Sequence, residues 1–174
     1  MKSWYAIYTR SRAEKKVVKE LEYKDIEAYL PIQRTIRQWS QRKKMVEVPL
    51  IPGYCFVNIH PREHFYVQQT DHVVAFVRFN GKPAEIPDYQ IGLMKRMLKQ
   101  SDYAVEAYHG NLSVGEKVSV VAGPLIGLSG KLASIRGKNK FIIEIEQINY
   151  SFMVEILRSD LMPFRESLHY AINQ

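Results

Sequence analysis

The sequence of 174 residues predicts an α+β protein built as two modules. Three observations carry that prediction. Strand-like and helix-like periodicities alternate over the first hundred or so residues, about the last sixty show only short alternating apolar runs between glycine-rich or polar turns, and the charge divides at the same place. Residues 1–100 hold 18 Lys/Arg against 10 Asp/Glu, whereas residues 101–174 hold 7 against 8, so the net charge of +7 resides in the first part. Such an excess fits either a polyanionic partner or a plain solubility surplus.

In chain order, SWYAIYT (residues 3–9) alternates as a strand. Ser11-Arg12-Ala13-Glu14 has the spacing of a capping box, and Ala13, Val17 and Leu21 recur every four residues behind it, with Glu20 four residues before Lys24. EAYLPIQRTIRQW and MVEVPL read as two extended arms joined by the polar tip SQRKK, a long hairpin. PGYCFVNI restarts as a strand after a Pro-Gly turn, Pro61 to Gln69 form a short helix, and VVAFVRF is a further strand. Asp88 to Gln100 follow as an amphipathic helix with Ile91, Met94, Met97 and Leu98 apolar.

The apolar periodicity lapses over SDYAVEAYHGNLS, which places a linker at residues 101–113 between modules at 1–100 and 114–174. In the second module VSVV, KLASI, KFIIEIE and SFMVEIL read as strands of a small, strongly bent β-barrel. Phe141, Ile143 and Ile145 share one parity against Glu144 and Glu146, and Phe152, Val154 and Ile156 repeat the pattern against Glu155.

Several chemistries are disfavoured. No apolar run reaches the roughly 20 residues of a membrane helix, and the start MKSWYAIYTRSRAEKK lacks a secretory core, which predicts a cytoplasmic protein. The glycines of VSVVAGPLIGLSGKLASI miss the phosphate-loop spacing: Gly123 lies seven residues before Gly130, and Lys131 is followed by Leu132 and a strand rather than a helix. Those glycines are expected at positive φ and at tight crossings. HPREH matches one metalloprotease spacing, but Pro61 keeps His60 outside the helix, so two solvated histidines and no metal are expected. Cys55 shares strand parity with Val57 and Ile59 and reads as core.

Two constellations point to binding. Tyr54, Phe56 and Asn58 lie opposite Cys55, Val57 and Ile59, and either form an exposed apolar patch or lie beneath a helix. The hairpin carries Arg34, Arg37, Arg42, Lys43 and Lys44 around Trp39, either a phosphate-tracking arm with a base-stacking ring or a solvated end.

Together these segments resemble the NusG family of transcription elongation factors. WYAIYTRSRAEKKV resembles the family's opening strand and helix, LIPGYCFVNI its PGY strand, VVAFVRFNGKPAEIPD its later strand and turn, and VGEKVSVVAGPLIGLSGKLASI with MVEILRSDL its KOW motif. SWY, the PLIPGY run and FVRF are most similar to the specialised RfaH/UpxY-like antiterminators of polysaccharide operons. The resemblance implies an N-terminal α/β sandwich of NGN type, a linker, and a C-terminal five-stranded, SH3-like KOW β-barrel.

It also implies a non-enzyme without cofactor, in which the first domain grips the clamp helices of the RNA polymerase largest subunit and suppresses pausing or termination. Tyr8, Ile51, Tyr54 and Phe56 fall where the family presents its polymerase-binding surface. Arg10 and Lys24 fall where specialised members approach non-template or upstream DNA, beside the hairpin's Arg37, Arg42, Lys43 and Lys44. Leu125 and Ile126 fall where the family meets a small ribosomal subunit protein or Rho. The region reads EHFYVQQ where specialised members carry a His-Thr-Thr run, and Asp71 follows Thr70 where they carry arginine. The alternative function is a KOW-type RNA-binding or ribosome-associated protein.

Overall fold

The computed structural model describes residues 1–39, 42–99, 104–110 and 115–164, which belong to two compact units, residues 1–98 and 99–174. In the first unit the elements are β1 (Ser3–Thr9), α1 (Glu14–Tyr23), β2 (Glu27–Tyr29), β3 (Ile32–Trp39), β4 (Arg42–Pro49) and β5 (Tyr54–Ile59). They continue with α2 (His64–Gln68), β6 (Val73–Phe76), β7 (Arg78–Phe79), β8 (Lys82–Pro83), β9 (Glu85–Ile86) and α3 (Asp88–Lys99). An antiparallel sheet runs β2-β5-β1-β6, with β9 pairing β1 beside β6.

Both faces of this sheet are covered. Tyr5, Ile7, Cys55, Val57 and Ile59 point to one side and pack with Val17 and Leu21 of α1 and Val67 of α2. Trp4, Phe56 and Tyr29 point to the other, where α3 lies: the Trp4 indole N–H donates to Asp88 Oδ1 at 3.1 Å, and Lys95 sits 5.0 Å over the Trp4 ring. Sheets covered on both sides lose the polar-out half of their alternation. That is why every residue of β5 except Asn58 is buried.

Helix α1 begins two residues later than a capping box requires. Ala13 is the N-cap, without a side-chain bond to the first turn. Glu14 is instead buried, and its Oε1 accepts the Gly53 N–H at 2.8 Å. The carboxylate thus satisfies a donor on a distant turn rather than its own helix start. The long hairpin forms as β3 and β4, in register from Ile32 opposite Pro49 to Trp39 opposite Arg42, while its expected first residues, Glu27–Tyr29, join the main sheet as β2. Its tip, Ser40 and Gln41, lies outside the described residues. VVAFVRF breaks at Val77, whose amide turns to the Ala6 carbonyl.

The second unit holds β10 (Glu106–His109), β11 (Glu116–Val120), β12 (Ser129–Ile135), β13 (Lys138–Ile145), β14 (Tyr150–Glu155) and β15 (Leu161–Pro163). They form an antiparallel sheet in the order β10-β14-β13-β12-β11-β15. The described strands number six rather than five, because part of the stretch read as linker is β10, held on β14 and by Lys140, whose Nζ lies 2.8 Å from Glu106 Oε1. Apolar periodicity fails over four residues at a sheet edge, which hid the strand. Phe141, Ile143, Ile145, Phe152, Val154 and Ile156 are buried as their parity predicts.

The loop from Val121 to Leu128 turns the chain between β11 and β12, and a strand rather than a helix follows it. Lys131, which follows Gly130 in β12, is paired with Glu144 at 2.7 Å. Gly130 marks a tight crossing: a Cβ there would stand 2.5 Å from the Ile142 carbonyl oxygen and 2.8 Å from the Phe141 ring.

Candidate functional site

Residues Tyr8 and Tyr54 face each other across the β1–β5 pair, with ring centroids 4.7 Å apart and the Tyr54 hydroxyl donating to the Tyr8 hydroxyl at 3.1 Å. The expected apolar surface is mostly closed. Tyr8 is 38% exposed, but Ile51, Tyr54 and Phe56 are 0, 8 and 0% exposed. For Phe56 the reason is the covering of this face: its ring lies 6.2 Å from that of Tyr29, over which Lys95 of α3 sits at 5.2 Å. Burial also pushes the Tyr29 phenol well above its ordinary value. The Pro52-Gly53 turn that leads into Tyr54 is latched by Glu14, a residue no spacing rule finds, since donor and acceptor are 39 residues apart.

The cationic residues separate into two groups. Arg10 is exposed, and its amide donates to the His72 carbonyl at 2.9 Å. Lys24 closes on the same segment, with Nζ 3.0 Å from Thr70 Oγ1 and 3.0 Å from Glu20 Oε1, and the latter oxygen also accepts the Asp71 N–H. Lys24 is therefore partly occupied within the unit. The hairpin meets α1 at Lys15, near the helix start, about 14 Å along the axis from Lys24 at its C-terminal end. There Glu47 Oε2 lies 3.3 Å from Lys15 of α1 and Oε1 lies 3.5 Å from Arg34.

Glu47 is the only acid between Ile32 and Pro49. Its contacts with Lys15 first, and Arg34 after it, hold its carboxyl below the ordinary range. Beyond Glu47, Arg37, Arg42, Lys43 and Lys44 are exposed and meet no carboxylate among the described residues. Uncompensated cations on a projecting ribbon raise the local potential for a polyanion. By register Arg37 stands opposite Lys44 and Trp39 opposite Arg42 on one face, whereas Lys43 stands opposite Gln38 on the other.

In the second unit Leu125 is buried and Ile126 is exposed, so the pair expected to meet a partner divides between core and surface. The turn donates Gly127 N–H to the Val120 carbonyl at 2.8 Å and Ile126 N–H to the Gly123 carbonyl at 3.1 Å, which drives Leu125 inward.

His60 is exposed outside the short helix, as its proline requires, but His64 is only partly exposed. Its ring packs 4.6 Å from both Tyr5 and Phe76, and desolvation lowers its pKa. No metal-binding cluster occurs among the described residues. Cys55 is core, its thiol pushed up to about 12 by burial and, after that, by the Glu14 charge. Among the described residues no helix is long and apolar enough to cross a membrane.

A sheet covered by helices on both faces, a cationic two-stranded ribbon and a second unit built mainly of strands among its described residues make an α+β architecture that carries a candidate polyanion-binding arm. The family model described as "Transcription termination factor nusG" matches residues 2–95, more than half of the chain, and the chain belongs to the NusG family. It is 29% identical over 174 residues to the transcription termination/antitermination protein NusG of Staphylococcus epidermidis, with 89% of this chain and 92% of that protein covered. To the protein of the same name from Lactococcus lactis it is 26% identical over 172 residues, covering 88% of each. Its fold is similar to a structure titled "Domain interaction in Thermotoga maritima NusG", with a TM-score of 0.52 at 24% identity, covering 95% of this chain and 98% of that one.

Proposed function

We propose that the chain is a transcription elongation factor that binds RNA polymerase through residues 1–100 and suppresses pausing or termination. The observation that carries this reading is the family match over residues 2–95, the unit from which the uncompensated basic ribbon projects. The second unit, residues 99–174, is in this reading a KOW-type module that includes β10. In this reading Tyr8 leads the contact with the polymerase clamp helices, and Tyr54, bonded to it beneath, fixes its ring. Arg10 and the ribbon's Arg37, Arg42, Lys43 and Lys44 face non-template or upstream DNA, and Lys24 joins them when it leaves Glu20 or Thr70. Ile126 meets a small ribosomal subunit protein or Rho, with Leu125 supporting the loop from inside.

The test is co-purification with core RNA polymerase. Tyr8→Ala is expected to reduce retention at least tenfold with an unchanged unfolding midpoint, because its ring is the exposed member of the pair; undiminished retention overturns the docking assignment. Phe56→Ala is a stability variant instead, since emptying a fully buried phenylalanine site costs about 3–5 kcal/mol. Changing Arg42, Lys43 and Lys44 to Glu is expected to lower the salt slope of elongation-complex binding by about 2–3. Similarity of SWY, PLIPGY and FVRF to specialised members supports an operon-specific role, and genome-wide occupancy at a few loci rather than at most transcription units is the expected result.

A further inference from the structure

Strand β10 is lightly held on the edge of β14. Apart from Val105 just before it, which is buried, its side chains bring little apolar area: Glu106, Tyr108 and His109 are exposed and Ala107 is half-buried. Its fixed points are the register from Glu106 opposite Met153 to His109 opposite Tyr150, the Ser151 hydroxyl donating to the Gly110 carbonyl at 2.8 Å, and Glu106 Oε1, 2.8 Å from Lys140 Nζ. Lys140 is the demanding member of that pair. Its side chain is only 9% exposed, and its other acid, Glu155, stands 4.0 Å away with the same oxygen held by Lys138 at 2.8 Å. A buried ammonium that loses its close partner is costly, so whatever strand lies on β14 must bring a carboxylate to the place of Glu106.

The edge also offers room that β10 does not use. A cleft of about 700 Å³ continues past the start of β10, from Ala104 to Arg158, and is lined by Glu106, Lys138, Lys140, Glu155 and Leu157. Arg158 is exposed there and meets no carboxylate among the described residues, and Leu157 beside it is 69% exposed. Three cations thus face two acids, which leaves one positive charge uncompensated. The cleft lies at the far end of β12 from the loop that carries Ile126, about 20 Å along a seven-residue strand, so it is separate from that loop.

We infer that the β14 edge with this cleft is a docking site for an acidic extended segment of a partner protein, and that β10 closes it in the partner's absence. The chain's own strand shows the chemistry of the occupant: main-chain pairing to β14 with a glutamate aimed at Lys140, the mode in which a sheet edge takes up a peptide. Because β10 is tethered, it competes at an effective concentration of about a millimolar, and a partner segment prevails only through contacts that β10 lacks. Arg158 and Leu157 supply them. A segment running in the direction of β10 and reaching farther into the cleft places a second acid against the unpaired guanidinium and an apolar group against Leu157.

The experiment titrates the full chain with a fluorescent, amidated peptide of residues 104–110, AVEAYHG, preceded by two aspartates. Two control peptides carry glutamine in place of the glutamate or serines in place of the aspartates. Wild type is expected to bind the acidic peptide weakly, and Glu106→Gln, which loosens the chain's own strand, to bind it about tenfold tighter. The glutamine peptide is expected to bind both proteins at least about tenfold more weakly. Arg158→Ala, a change at an exposed rim, is expected to keep the unfolding midpoint and to bind the aspartate peptide no better than the serine one. Hydrogen exchange reads the displacement: with peptide bound, the amides of residues 106–109 lose protection while those of 150–155 keep it. A Glu106→Gln protein that binds no tighter than wild type overturns the inference, since loss of a merely structural ion pair would not improve binding. Equal affinity for the aspartate and serine peptides overturns the role of the cleft, and binding that leaves β10 protected overturns the exchange of strands. If no peptide binds even Glu106→Gln, the site does not exist.

Discussion

Removing the Glu14 carboxylate is expected to unlatch the turn that presents Tyr54. In the structure this buried side chain accepts the Gly53 N–H at 2.8 Å, and Gly53 holds φ at +81°, a conformation that needs glycine. Hydrogen bonds to charged groups contribute about 1.5–3 kcal/mol, and a carboxylate in the first turn of a helix adds about 0.3–1 kcal/mol. Relief of the carboxylate's own desolvation offsets part of this, so Glu14→Ala is expected to destabilise the first unit by about 2 kcal/mol. At a urea slope of about 1–2 kcal/mol per molar, the midpoint falls by about 1–2 M. The assay reads one unit selectively, because both tryptophans, Trp4 and Trp39, lie in it and can be excited apart from the tyrosines. Glu14→Gln keeps an acceptor oxygen without the charge and is expected to fall about midway. A midpoint for Glu14→Ala within about 0.2 M of wild type, or a glutamine variant less stable than the alanine one, refutes the latch.

Three further outcomes are expected. Gly130→Ala drives a methyl group against the Ile142 carbonyl and the Phe141 ring, and is expected to destabilise the second unit by about 1–3 kcal/mol, read as faster hydrogen exchange over residues 129–145. Cys55, buried and raised to about 12, is expected to resist a thiol reagent at pH 8 in the native protein and to react fully in urea. His64 has a folded pKa below its unfolded value, so the unfolded state binds the proton first and stability falls as pH drops through about 6.5. His64→Phe is therefore expected to flatten the loss in urea midpoint between pH 7.5 and 5.5; an unchanged pH dependence counts against the buried-ring assignment.

What was legible in the sequence was whatever a local period encodes. The i,i+4 spacing of Val17 and Leu21 gave α1, alternation gave the second unit's buried Phe141 and Phe152 series, and Pro61 kept His60 off the helix. What was not legible depends on a second element arriving from far along the chain. Spacing leaves Tyr54 and Phe56 equally able to form an outward patch or to lie beneath a helix, and only the arrival of α3 some thirty residues later decides that Phe56 is core. Glu14 fits a capping box by spacing, yet its carboxylate is claimed by Gly53. His64 was expected fully in solvent because helix spacing says nothing of the Tyr5 and Phe76 rings that pack against it.

Burial of the Phe56 side of the sheet changes how the first unit can act. A wide apolar face could bind a partner by area alone, but here the exposed ring at this end is Tyr8, backed by a hydroxyl bond and a latched turn. A single supported aromatic is the arrangement of a hot spot: it presents large area on few rotatable bonds, so little entropy is lost on docking. Such a contact is too small to hold a complex alone, and the long-range attraction of the ribbon complements it. Exposed cations act over about a Debye length, 8–10 Å at physiological salt, and raise the encounter rate before any side chain touches. On the proposed reading the two elements divide the work physically. Changes at Tyr8 should appear in the dissociation rate with little salt dependence, and changes at Arg42, Lys43 and Lys44 in the association rate with a strong one. Stopped-flow measurement on elongation complexes at two ionic strengths separates them, and a Tyr8→Ala defect that scales with salt contradicts this division.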